Sequence, residues 1–109
     1  MKSGISAAMF EQVCEVIRER KQSSAEKSYV ASLMTKGTDA ILKKIGEESA
    51  EVIIAAKNKN REEQIHEITD LWFHLLVLLV DQGLTPEDIS KEFEKRFGQS
   101  GLEEKAQRQ

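Results

Sequence analysis

The sequence predicts an all-α protein, an antiparallel bundle of about five helices, and three observations carry that prediction. One proline and six glycines among 109 residues are too few breakers for a β-sandwich, which turns about every 8–12 residues. Apolar residues recur at helical spacing in five segments, as one covered helix face requires. Between them lie Ser23-Ser24, Gly37, Asn58-Lys59-Asn60 and Gly83, residues that end or turn helices. The length suits one domain that buries roughly two thirds of its unfolded surface without disulfides.

The first helix, about residues 5–21, carries a stripe of Met9, Val13, Val16 and Ile17, with Phe10 and Cys14 beside it. A short second segment places Tyr29, Val30, Leu33 and Met34 together and ends at Gly37, where a positive φ is commonly needed. Thr38 or Asp39 can cap the third helix, which runs to about Lys57. The fourth spans about Arg61–Gln82 and stops before Gly83. Thr85-Pro86-Glu87-Asp88 supplies a cap hydroxyl, a first-turn proline and an acidic third position to start the fifth. Ile89, Phe93 and Phe97 form its expected buried stripe. Residues 1–97 are read as a single domain and 98–109 as a polar, flexible tail.

Charge and composition exclude several function classes. A net charge of −3 offers no basic footprint for nucleic acid. Residues 1–60 carry ten Lys/Arg against eight Asp/Glu, while 61–109 carry six against eleven. Cys14 is alone, so no internal disulfide and no cysteine-based zinc site is expected. Its expected role is a small buried hydrophobe. No secretory leader and no membrane-length apolar run is found, the longest being Leu75–Val80. A cytoplasmic, membrane-free protein is the expectation.

Chemistry concentrates on the third and fourth helices. Glu47, Glu48 and Glu51 fall within an arc of about 100°, together with Lys44. Ile45, Val52 and Ala56 border that arc on one side and Ile54 on the other. From Leu71 to Val80 only His74 is polar, and a helix apolar all round belongs in a bundle core or a subunit interface. Glu67, Asp70 and His74 nevertheless share one side of it.

An antiparallel hairpin turning at Lys59 sets residues whose numbers total 118 at equal height. Glu51 then faces Glu67, Glu48 faces Asp70, and Lys44 faces His74. Four carboxylates converging on an apolar interior cost several kcal/mol each unless neutralised. An all-oxygen set suits one or two hard divalent ions, Mg²⁺ or Mn²⁺ over Zn²⁺. Because Mg²⁺ completes its shell with waters and substrate phosphates, the implied substrate is a nucleotide or diphosphate. Lys36, Lys43, Lys44 and Lys57 are available to meet phosphate charge.

A single ExxE is most often solvated surface, and its acids can simply pair with Lys43 or Lys44. Two matched motifs, one inside an almost unbroken apolar helix, favour a metal site. His74 has two readings, a substrate contact or a core histidine bonded to a neighbour. A ferritin-like di-iron site is disfavoured, since only Glu63-x-x-His66 offers the required pairing.

The runs Ser28-Tyr29-Val30-Ala31-Ser32-Leu33, Lys36-Gly37, Ile41 to Glu48, Ala50 to Asn58, and Glu67-x-x-Asp70-Leu71-x-x-His74 to Leu79 closely resemble the phosphoribosyl-ATP pyrophosphohydrolase family. The likeness covers about residues 10–97. The paired acidic motifs are general to the all-α NTP pyrophosphohydrolase superfamily; the Ser28-Tyr29 segment and the run from Lys43 to Asn58 are more specific. The resemblance implies Mg²⁺-dependent release of pyrophosphate from 1-(5-phosphoribosyl)-ATP, the second step of histidine biosynthesis. It also implies a homodimer, so that dimerisation completes the bundle. Carried over, Glu48, Glu51, Glu67 and Asp70 are metal ligands, and Glu47 activates the attacking water or serves as a fifth ligand. Lys44, Ser28, Tyr29 and Lys36 face the substrate. Thr69, Trp72 and Phe73 depart from the family's commoner alanine, leucine and tyrosine, leaving the carboxylate set intact. The rival readings are a housecleaning nucleoside triphosphate pyrophosphohydrolase on the same scaffold and a non-enzymatic helical adaptor.

Overall fold

The computed structural model describes residues 2–98, with side chains from residue 8 onward. Five helices follow in order: α1 (Lys2–Arg20), α2 (Tyr29–Lys36), α3 (Thr38–Asn58), α4 (Arg61–Gln82) and α5 (Pro86–Phe97). No strand occurs among the described residues. The tail reading for 98–109 falls, after Gly98, outside the described residues.

Local chemistry sets these boundaries. The Ser28 hydroxyl accepts the Ala31 N–H to start α2, and Asn60 does the same for Glu63 at the start of α4. Thr85 and Asp88 exchange side-chain and backbone bonds in a complete capping box for α5. Gly37 and Gly83 have φ of 99° and 71°, the region glycine enters without a Cβ clash. The third helix departs from expectation. Its cap position is Gly37, with no side-chain cap bond. Thr38 lies inside the helix and donates its hydroxyl to Asp81 at the far end of α4, at 2.8 Å.

The antiparallel α3–α4 hairpin forms the spine; α1 packs on α4, α2 on α3, and α5 on α1. The core gathers Cys14 and Ile17 from α1, Val30 and Leu33 from α2, Ile41 from α3, and Leu76, Val77 and Val80 from α4. Cys14 is fully buried, as a small hydrophobe should be. This core occupies the half of the hairpin reached by α1 and α2.

Two stripes require correction. In α1 the covered residues are Phe10, Val13, Cys14 and Ile17, whereas Met9 and Val16 are exposed; the helix is rolled so that Cys14 faces inward. In α5 nothing is buried, and Phe93 and Phe97 are about 60% exposed, because only α1 lies along this helix. Ile54 likewise gives no apolar cover to the acidic face, being exposed together with Ile53. The apolar circumference of α4 is covered on one side only. Trp72 stacks on Phe10 with ring centroids 5.0 Å apart yet stays 43% exposed.

Candidate active site

The hairpin register places the acidic residues together. Glu48, Glu67 and Asp70 each offer an oxygen within 4.8 Å of the others. Glu51 lies one turn along α3, in side-chain hydrogen-bonding reach of both Glu48 and Glu67. Glu48 is buried, Glu67 and Asp70 are half-buried, and Glu51 is exposed. The cluster lies where the apolar core ends, one side shielded and the other open.

Electrostatics record the crowding. The Glu48 carboxyl is pushed from 4.5 to about 7, first by burial, then by the charges of Asp70 and Glu51, a hydrogen bond with Glu51, and Glu67. Glu67 is also raised, chiefly by its hydrogen bond with Glu51 and then by burial and like charge, with His66 opposing. His66 Nε2 approaches Asp70 at 3.3 Å. Glu67 keeps one buried oxygen, Oε1, without any hydrogen-bond partner. A buried acceptor with no donor costs about 1–3 kcal/mol. Ionised carboxylates offer it no donor, and a cation bound among them would satisfy it. The donor set therefore fits a hard divalent ion held by Glu48, Glu67 and Asp70, with Glu51 adjacent.

His74 sits at the level of Glu48. Its Nδ1 is 2.9 Å from the Asp70 carbonyl oxygen and 3.9 Å from Glu48 Oε1, and its Nε2 is 2.7 Å from the Tyr29 hydroxyl. A carbonyl only accepts, so Nδ1 carries the proton; Nε2 of the neutral ring then accepts from Tyr29. His74 is buried and bonded on both nitrogens. Lys44, expected opposite His74, approaches Glu47 at 3.8 Å.

The other sequence-selected residues surround this centre. Tyr29 is half exposed. Burial pushes its phenol above the usual value, with Lys44 opposing and Glu48, Asp70 and Glu47 adding. Ser28 is occupied as the cap of α2, its hydroxyl turned to Ala31. Glu47 and Lys36 are exposed. Sequence reasoning missed Arg20, Ser23 and Lys27, which with Ser28, Tyr29, Val30 and Phe73 line a depression of about 350 Å³. Their signal was a cluster of cations and hydroxyls immediately before Tyr29.

A five-helix bundle with paired acidic motifs on an antiparallel hairpin has the architecture and donor set expected of an all-α pyrophosphohydrolase. The family model for phosphoribosyl-ATP pyrophosphohydrolase matches residues 10–97. Curated relatives include the phosphoribosyl-ATP pyrophosphatase of Methylococcus capsulatus, 53% identical over 96 residues covering 88% of this chain and 91% of the relative. The enzyme of that name from Geobacter metallireducens is 55% identical over 96 residues, 88% of each chain, and that from Aromatoleum aromaticum is 48% identical over 104 residues, 95% of this chain and 96% of the relative. The chain belongs to the phosphoribosyl-ATP pyrophosphohydrolase family.

Proposed function

We propose that this protein hydrolyses 1-(5-phosphoribosyl)-ATP to the corresponding AMP compound and pyrophosphate, as the names of its relatives indicate for them, in the second step of histidine biosynthesis. The observation that carries the site assignment is the meeting of Glu48, Glu67 and Asp70 around an unpartnered buried oxygen. These residues, with Glu51, hold Mg²⁺, for which Mn²⁺ can substitute. Bound there, Mg²⁺ supplies Lewis-acid chemistry, neutralising charge on the anhydride and the departing pyrophosphate.

The remaining roles belong to side chains of this chain. Glu47 accepts the proton of the attacking water at its carboxylate, and Lys44, 3.8 Å away, offsets the negative charge beside it. Tyr29, with its hydroxyl held by His74, and Lys36 face the substrate. His74 acts by positioning Tyr29 and the Asp70 backbone. Ser28 contributes through the start of α2.

The protein works as a homodimer in the cytoplasm. A groove of about 770 Å³ lined by Phe10, Trp72, Leu75, Leu79, Leu84 and Phe93 among others leaves a contiguous apolar surface open, the kind of patch that marks a protein–protein contact. A second copy covers it and the exposed Ile53, Ile54, Ile65 and Ile68. Among the described residues, no single helix is long and apolar enough to cross a membrane.

Pyrophosphate release from phosphoribosyl-ATP tests the assignment. Wild-type protein turns over with Mg²⁺, while Glu48→Gln and Asp70→Asn lose activity by at least about a hundredfold with an unchanged helical spectrum. A fully active Asp70→Asn protein contradicts the metal role. Preference for dCTP or dUTP over phosphoribosyl-ATP replaces this substrate with the housecleaning one.

A further inference from the structure

The depression between the end of α1 and the start of α2 is chemically unlike the carboxylate centre beside it. Arg20 closes α1, Lys27 precedes α2, and Ser23 and Ser28 add hydroxyls, with Phe73 as an apolar wall. Neither Arg20 nor Lys27 has an acidic partner among the described residues, although acids outnumber bases in the chain. Tyr29 is shared by the two places. It lines the depression, and its hydroxyl meets His74, which in turn lies 3.9 Å from Glu48. A cation pair one tyrosine and one imidazole away from an acidic centre suits a ligand with two anionic ends. One end is carried by a divalent ion and the other is held directly by protein charges.

We propose that Arg20 and Lys27, with Ser23, form a second subsite that binds the terminal monophosphate on the phosphoribosyl arm of the substrate. This rests on the phosphoribosyl-ATP reading above and adds to it a means of telling that substrate from a plain nucleoside triphosphate. The carboxylate centre recognises only metal-bound polyphosphate, common to both. A guanidinium and an ammonium flanked by hydroxyls match a phosphate dianion, and the space of about 350 Å³ accommodates it with part of its ribose. Both cations are exposed at helix or loop ends, so their removal leaves the core untouched.

The test separates the two ends of the substrate with two inhibitors, ribose 5-phosphate and pyrophosphate with Mg²⁺, against phosphoribosyl-ATP hydrolysis. Arg20→Ala and Lys27→Ala each raise KM for phosphoribosyl-ATP and weaken inhibition by ribose 5-phosphate, both by about 10- to 100-fold. The effect on kcat is far smaller, and inhibition by magnesium pyrophosphate is unchanged. Arg20→Lys recovers part of the loss. Weakened inhibition by magnesium pyrophosphate alone, or neither inhibitor affected, overturns the subsite. Glu48→Gln tested alongside keeps the readings apart: its retained turnover contradicts the carboxylate assignment, whereas an unchanged KM in Arg20→Ala contradicts only this proposal.

Discussion

Tyr29 and His74, 45 residues apart, meet at 2.7 Å through the phenol hydroxyl and Nε2, tying the start of α2 to the middle of α4 beside Glu48. Because Nδ1–H donates to the Asp70 carbonyl, the hydroxyl is the only group donating to Nε2 within the described structure. Tyr29→Phe therefore strands a buried acceptor. It is expected to cost about 1–2 kcal/mol, which lowers the melting temperature by several degrees at a fixed protein concentration. An unchanged melting temperature contradicts this bond.

The pH dependence of the metal-free protein follows from Glu48. Its carboxyl titrates near 4.5 when unfolded and near 7 in the fold, so between these values the native state holds more protons than the unfolded one. The contribution of this group is thus greatest below about pH 4.5 and falls as pH rises to about 7, by roughly 3 kcal/mol. Denaturant titrations across this range check the slope, and Glu48→Gln flattens it. Since a metal ligand must be ionised, Mg²⁺ added at pH 6 releases protons, measurable as a buffer-dependent heat of binding.

The end of α3 stores a small strain. Lys59 has φ of 59° and is the one non-glycine residue with positive φ among the described residues. A side chain there costs about 1 kcal/mol relative to glycine. Lys59→Gly, at an exposed turn, is expected to raise stability by up to about 0.5 kcal/mol, net of the added freedom of the unfolded chain. Chemical denaturation measures it, and a loss of stability contradicts the strain.

The open apolar surface predicts the assembly. Sedimentation equilibrium is expected to give twice the chain mass for wild type and a shift toward single chains for Phe93→Asp. Phe93 makes no part of the buried core, so the variant leaves the fold of each chain intact. A wild-type protein that sediments as one chain contradicts the homodimer.

These relationships differ in how far sequence reveals them. Helix ends were legible because Gly37, Asn60, Gly83 and the Thr85–Asp88 box satisfy backbone groups within a few residues. The hairpin register was legible because the short turn at Lys59 leaves little freedom. It carries through to Thr38 and Asp81 at the opposite end and brings Glu48 to Asp70. The stripe of α5 misled because periodicity identifies an apolar face without saying what covers it. Phe93 and Phe97 look the same in sequence whether the cover is this chain or another. The Tyr29–His74 bond left no trace, since it joins two elements with no shared spacing. The Arg20–Lys27 depression escaped because its residues straddle a break between helices, where no periodicity operates.

The most direct test of the central claim, that the hairpin's carboxylates hold a divalent cation, is Mn²⁺ binding followed by electron paramagnetic resonance at neutral pH. Wild-type protein is expected to take up the ion at a saturable site that Mg²⁺ displaces, with affinity reduced at least about tenfold in Asp70→Asn and Glu67→Gln. Equal binding by wild type and both variants would contradict it.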